Sequence, residues 1–171
     1  WGTFSLQDVV TKNGGVSPFG NAGVRYVGSS DDVKLNAAIP RFTADPKAVA
    51  RFSADVNHEG LFLVPVISAH AINDATVFVE GQDVLRLKMK AAGKDHLLVQ
   101  TYVDSREHSY WGDAHYPPLF NALLQWVEKR QKPSPSDIDQ QCKQLSSAKP
   151  ADCRFLPNYA VKPIASRIHP R

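Results

Sequence analysis

The chain has 171 residues, 43% of them hydrophobic, and its 20 basic residues are interspersed with 17 acidic ones for a net charge of +3. This length and composition allow a buried core, and the scattered charge argues against nucleic-acid binding, for which basic residues usually cluster on one face. Because no apolar run reaches the roughly 20 residues of a membrane span and the N-terminus carries no targeting pattern, we expect a globular, soluble chain.

The first segment, residues 1–58, is predicted to be loop-rich. Frequent glycine argues against long regular structure up to about Ser30. Two short helices should follow, one capped by Ser30 or Asp31 and one opened by Asp45 and Pro46. Short helices between loops are typical of a cap or lid over a pocket, and surface packing helices are the alternative.

The central segment, residues 59–131, alternates between strand and helix patterns. An almost unbroken apolar run at 61–67 predicts a strand buried on both faces. Its paired part should begin only at Val66, because Pro65 has no N–H to donate. Helix, strand and helix patterns follow at 79–92, 97–103 and 117–127.

This alternation predicts an α/β fold with parallel strands joined through helices. Two strands would leave apolar faces and edges open. We therefore expect the segment to be part of a larger sheet, whose other strands lie on polypeptide outside this chain.

The last segment, residues 132–171, is rich in proline and predicted to be an extended tail. Cys142 and Cys153 are close in sequence, and a disulfide between them would staple a tail that has little core of its own. Two free cysteines are the alternative, and the spacing is poor for zinc. A disulfide would place the protein in an oxidising compartment, secreted or periplasmic.

Two residues with catalytic potential follow the two predicted strands: Asp74 comes after the first, and His108 after the second. Loops beyond the carboxyl ends of neighbouring parallel strands meet at one rim of the sheet. A carboxylate that orients an imidazole is the arrangement that activates a nucleophile. Taken singly, Asp74 could be a turn residue and His108 a solvated side chain.

The segment 64–74 resembles the acid-bearing region of α/β-hydrolases, in which a strand with a Pro-Val start leads to a His-Gly-x-x-Asp-like loop. Glu107 and His108, followed by a helix, are similar to the family's Gly-His stretch and terminal helix. The resemblance covers roughly residues 61–130, and Asp74 precedes His108 in agreement with the family's order of serine, acid and histidine. It implies the C-terminal portion of an α/β-hydrolase sheet, with Asp74 as catalytic acid and His108 as catalytic base.

The sequence departs from this family in three ways. Ala71 and Glu107 stand where the family usually has glycine, so both loops could run differently. No Gly-x-Ser-x-Gly is present, and Ser17, Ser29 and Ser30 do not lie between a strand and a helix. The nucleophile is therefore expected on an N-terminal segment or partner chain from the same precursor.

These features predict a serine hydrolase, incomplete in this chain alone, that cleaves a small-molecule ester or a peptide through an acyl-enzyme. No cofactor and no metal are predicted, although a metal site built from His108, Asp113 and His115 is an alternative. A non-catalytic binding or structural subunit is the competing function, favoured by the altered glycines. A stand-alone α/β binding domain is a third.

Overall fold

A computed structural model describes residues 2–146 and 149–170. The chain forms two compact units, one comprising the described residues up to His58 together with those from Ala165 onward, and the other running from Glu59 to Ile164. Within the described residues there are six α-helices and a parallel sheet of two strands, which confirms the predicted α/β class at this level.

The first unit contains three helices, α1 (Gly2–Lys12), α2 (Asp32–Ala38) and α3 (Pro46–Val56). The predicted start signals of the last two are confirmed. Asp31 accepts a hydrogen bond from the main-chain N–H of Lys34, and Asp45 accepts one from that of Ala48. Each carboxylate thus satisfies a donor that the first helical turn leaves unpaired.

The prediction that the chain is mostly loop up to Ser30 is wrong for α1. The glycines that suggested a loop lie just beyond the helix and terminate it. Gly14 and Gly15 have φ values of 75° and 85°, and the N–H of Gly15 bonds back to the carbonyl of Val10 at 3.0 Å. This is the left-handed turn with which many helices end.

The second unit contains both strands and the other three helices: β1 (Val66–Ala71), α4 (Gly81–Ala91), β2 (Leu98–Val103), α5 (Tyr116–Lys129) and α6 (Pro135–Leu145). The strands are parallel, as predicted, with Val66 opposite Leu98 and Ala71 opposite Val103. Pairing begins at Val66, directly after Pro65, as the missing proline N–H led us to expect.

The core of this unit lies between β2, α5, α6 and the chain after α6. Its buried members are hydrophobic side chains and the two cysteines: Val99, Val103, Ala122, Trp126, Ile138, Cys142, Cys153 and Phe155. Because four of these residues come from α6 and the segment behind it, residues beyond 131 belong to the same core as the sheet.

The prediction of an extended tail is therefore wrong for α6. Ser134 and Asp137 form a reciprocal cap, in which each side chain accepts a hydrogen bond from the other residue's main-chain N–H. Pro135 occupies the first turn, where its missing N–H costs nothing. The prolines that suggested an extended path instead mark the start of a helix, and Ile138 and Cys142 point from it into the core.

The predicted disulfide between Cys142 and Cys153 is present. It joins α6 to a short segment that runs antiparallel beside the end of β2, where Phe155 bridges Val103. The main-chain N–H of Asp104 donates to the carbonyl of Arg154 at 2.9 Å in the same pairing. The outer edge of β2 is thus covered at its carboxyl end.

Across residues 2–146 and 149–170, none of the helices is both long and apolar enough to pass through a lipid bilayer.

Candidate active site

The loops that follow β1 and β2 leave the sheet side by side. The last register pair, Ala71 with Val103, aligns the carboxyl ends of the strands. The two chains remain connected beyond it, because the N–H of Asn73 donates to the carbonyl of Ser105 at 3.1 Å. Side chains carried by these loops are thereby brought to one rim of the sheet.

At this rim Asp74 and His108 are in direct contact. Oδ2 of Asp74 lies 2.7 Å from Nδ1 of His108. Oδ1 accepts hydrogen bonds from the main-chain N–H groups of Thr76 at 2.7 Å and Val77 at 3.0 Å. The carboxylate is therefore fixed by a tight turn through one oxygen and faces the imidazole with the other.

Burial differs sharply between the two partners. The side chain of Asp74 is 2% exposed, whereas that of His108 is 46% exposed. Because a carboxylate oxygen can only accept, the neutral imidazole of His108 carries its proton on Nδ1 and has Nε2 as its acceptor. Among the described residues Nε2 makes no hydrogen bond, so it is open to a group from elsewhere.

The pKa of Asp74 lies below 3.8. Burial is the largest influence and acts to raise this pKa, but the hydrogen bonds from His108 and from the main-chain N–H groups of Val77 and Thr76 together outweigh it. Asp74 is consequently ionised at neutral pH, the state that orients an imidazole and stabilises its protonated form.

The two positions where the sequence lacks the expected glycine are unstrained. Within the described residues, Arg130 is the only residue other than glycine with a positive φ. Ala71 is buried as the last paired residue of β1, and the N–H of Glu107 donates to Oγ of Ser105 at 3.1 Å, while its side chain is exposed. Neither position needs glycine, so the altered glycines no longer favour the non-catalytic alternative.

The other polar residues of this region have separate partners. His70 is buried with Nδ1 2.8 Å from the carbonyl of Ala71, and Asp113 accepts a hydrogen bond from the hydroxyl of Tyr110 at 2.7 Å. In the part of the chain that the structure describes, no three His, Cys, Asp or Glu side chains are grouped to hold a metal ion.

His115 lies at the N-terminal end of α5 and is 1% exposed. Its Nδ1 faces the carbonyl of Gly112 at 3.3 Å, and its Nε2 accepts the main-chain N–H of Arg154 at 3.2 Å. The ring is thus held as the neutral Nδ1–H tautomer. Burial and, to a smaller extent, the charge of Arg154 lower the pKa of His115 from 6.5, whereas the Gly112 carbonyl and Asp152 act in the opposite direction.

We expect His115 to make the stability of the protein depend on pH. The pKa of His115 is lower in the folded than in the unfolded state. Its contribution to the free energy of unfolding is therefore fully present above pH 6.5 and is lost as the pH falls through the folded-state pKa. The free energy of unfolding, measured by urea titration between pH 8 and pH 5, should therefore fall less in His115→Gln than in the wild type. If the free energy of unfolding fell by the same amount between pH 8 and pH 5 in both proteins, His115 would not be the source of the pH dependence.

The three serines considered as nucleophiles have local structural roles or are exposed. Oγ of Ser17 hydrogen-bonds to the main chain of Phe19, and Oγ of Ser29 donates to Oδ1 of Asp32 at 2.6 Å, at the start of α2. Ser30 is exposed. None of them stands between a strand and a helix, so none occupies a nucleophile elbow.

Two residues near His108 were missed by the sequence analysis. Nε1 of Trp111 donates to the carbonyl of Glu107 at 3.0 Å, and the guanidinium of Arg154 donates to the carbonyl of Trp111 at 2.9 Å. The aromatic run after His108 was a usable signal for Trp111. No sequence signal was available for Arg154, because its approach depends on how the segment after α6 returns to β2.

Comparisons with protein-family models, with curated proteins and with solved structures found no match to this chain. Conclusions about its function therefore depend on the geometry around Asp74 and His108.

Proposed function

We propose that this chain is the C-terminal part of a serine hydrolase of the α/β-hydrolase class, supplying Asp74 as catalytic acid and His108 as catalytic base. The observation that carries the proposal is the 2.7 Å contact between buried Asp74 Oδ2 and Nδ1 of half-exposed His108. An anchored carboxylate behind an imidazole whose second nitrogen is open is the arrangement that activates a serine.

In the proposed reaction a serine Oγ outside this chain attacks the carbonyl carbon of an ester or a peptide, and Nε2 of His108 takes its proton. The bond to the leaving group breaks, His108 returns the proton to that group, and the acyl-enzyme remains. Water, deprotonated by His108, then attacks the acyl carbon. The bond from that carbon to the serine Oγ breaks, His108 returns the proton to Oγ, and the acid is released. Asp74 stays ionised throughout and stabilises the imidazolium.

Two surfaces of the second unit, the free edge of β1 and an exposed apolar face of α5, favour the proposal that a further segment packs there and carries the serine. Within the described residues β1 pairs with β2 alone, so its other edge presents unpaired main-chain groups. Three apolar side chains of α5 are exposed at helical spacing: Phe120, Leu124 and Val127. An N-terminal segment or partner chain from the same precursor would complete the sheet and cover this stripe.

The disulfide is compatible with a secreted or periplasmic location, because disulfides persist in oxidising compartments. We propose that location for the hydrolase. The substrate is proposed only as a small-molecule ester or a peptide, since the pocket walls would come largely from the additional segment.

A serine-directed fluorophosphonate tests the proposal on the complete protein. We expect labelling of a serine outside residues 1–171 and its loss in His108→Ala, because the hydroxyl then lacks a base. His96→Ala is the matched control, since His96 is an exposed histidine in the same unit, and its labelling should equal that of the wild type.

Two results would overturn the proposal. One is undiminished labelling in a folded His108→Ala protein. The other is fully active material that contains only residues 1–171 by intact mass spectrometry, since the serine would then not lie on an additional segment.

A further inference from the structure

The segment behind the disulfide is fixed directly beside the strand that leads to His108. Cys153 is joined to Cys142 of α6, and both sulfurs lie in the core. The next residue, Arg154, accepts the N–H of Asp104 through its carbonyl at 2.9 Å, one residue beyond the end of β2. The backbone of Arg154 thus has a defined position relative to the loop that begins there.

Arg154 reaches that loop in two ways. Its main-chain N–H donates to Nε2 of His115 at 3.2 Å, and Nη2 of its guanidinium donates to the carbonyl of Trp111 at 2.9 Å. The backbone of Arg154 is thus bonded to a buried, neutral His115. Its side chain is bonded to the loop at Trp111, three residues after His108.

Trp111 carries this restraint back towards the histidine. Its indole N–H donates to the carbonyl of Glu107 at 3.0 Å, which closes the loop around His108. The ring of Trp111 also stacks on that of Tyr116, at a centroid distance of 6.0 Å and an interplanar angle of 4°. The indole therefore has one orientation, and the peptide unit preceding His108 is fixed by it.

We propose that Arg154 is a positioning residue for His108, acting through Trp111 and Glu107, and that the Cys142–Cys153 disulfide holds Arg154 in place. This inference rests on the proposed function in assigning a catalytic purpose to the alignment. The need for a restraint follows from exposure: the imidazole is 46% exposed, and its contact with Asp74 is its sole hydrogen bond among the described residues.

The alignment is tested by ¹⁵N nuclear magnetic resonance of the complete protein with labelled histidine, recorded with the imidazole neutral. In the wild type we expect the proton of His108 on Nδ1. In Arg154→Ala the shifts of both ring nitrogens should move towards the average of two tautomers. In the hydrolysis assay kcat should fall about 10-fold with KM unchanged, because misplacement of a catalytic group by a fraction of an ångström has effects of this order.

Three further variants separate positioning from general destabilisation. Arg154→Lys should restore the wild-type spectrum, since an ammonium can also donate to the Trp111 carbonyl. Trp111→Phe should reproduce the Arg154→Ala spectrum, because it keeps a ring against Tyr116 but has no N–H for Glu107. Lys149→Ala, an exposed cation inside the disulfide loop, should leave the His108 signals unchanged.

Wild-type His108 shifts in both Arg154→Ala and Trp111→Phe would overturn the positioning role, whatever the protein hydrolyses. An Arg154-dependent His108 signal in a complete protein that never reacts with the fluorophosphonate would overturn the proposed function and leave the structural linkage standing. If the ¹⁵N shifts of His108 moved as far in Lys149→Ala as in Arg154→Ala, the effect would be nonspecific. That result would overturn the assignment to Arg154.

Discussion

In Asp74→Asn, kcat of the complete hydrolase is expected to fall about 10⁴-fold, the loss seen when the orienting aspartate of a catalytic triad becomes asparagine. The amide oxygen can still accept from the N–H groups of Thr76 and Val77, so the turn is preserved. The amide nitrogen, however, would face Nδ1 of His108 as a donor. His108 must then carry its proton on Nε2, where it cannot accept one from the serine.

Steady-state kinetics on an ester substrate, with the fold checked by circular dichroism, measure this effect. Asp83→Asn is the matched control, because Asp83 is also a buried carboxylate of the same unit but pairs with Arg86. It should change kcat by less than about 10-fold, in line with a residue that makes no transition-state contact. Wild-type turnover in Asp74→Asn would show that the pair formed by Asp74 and His108 takes no part in catalysis.

Reduction of the Cys142–Cys153 disulfide is expected to lower the free energy of unfolding of the Glu59–Ile164 unit by about 3 kcal/mol, the value typical of a loop of this size. The cysteines are 11 residues apart in sequence. Because both cysteines belong to the same buried core as Val99 and Val103 of β2, the loss should reach β2 and not only the tail.

Urea denaturation of oxidised and reduced protein measures the difference, and amide exchange of β2 locates it. Exchange of its amides should accelerate on the order of 100-fold on reduction, the factor that corresponds to about 3 kcal/mol. In a Cys142→Ala, Cys153→Ala double variant the reductant should have no further effect. If the amides of β2 kept the same protection from exchange after reduction, the disulfide would stabilise only the segment beyond residue 131.

Both candidate residues could be found from the sequence because each follows a strand pattern that depends only on neighbouring residues. A continuous apolar run predicts a buried strand, and parallel strands place the residues that follow them at one rim. Asp74 and His108 follow such runs, so their proximity could be inferred without knowing how the rest of the chain packs. The start of β1 at Val66 could be predicted for the same reason, since it depends only on the chemistry of Pro65.

The errors arose where one residue type has opposite meanings in different contexts. The glycines after residue 12 predict a loop, but in the structure they terminate α1. The prolines beyond residue 131 predict an extended path, but Pro135 opens α6. The cap formed by Ser134 and Asp137 is visible in the sequence and would have indicated α6. Glycine just past the end of a helix and proline in its first turn are compatible with the helix, whereas the same residues in its interior disrupt it.

The sequence alone therefore determined the α/β alternation, the cysteine pair and the two candidate residues, since each depends on neighbouring residues or on the period of a strand. Only the tertiary structure determined the burial of Asp74, the open Nε2 of His108 and the hydrogen bonds from Arg154 through Trp111. These depend on contacts between residues far apart in the sequence: Asp74 and His108 are 34 residues apart, and Trp111 and Arg154 are 43 residues apart. The geometry of such contacts is set by how the core packs, which no local pattern encodes.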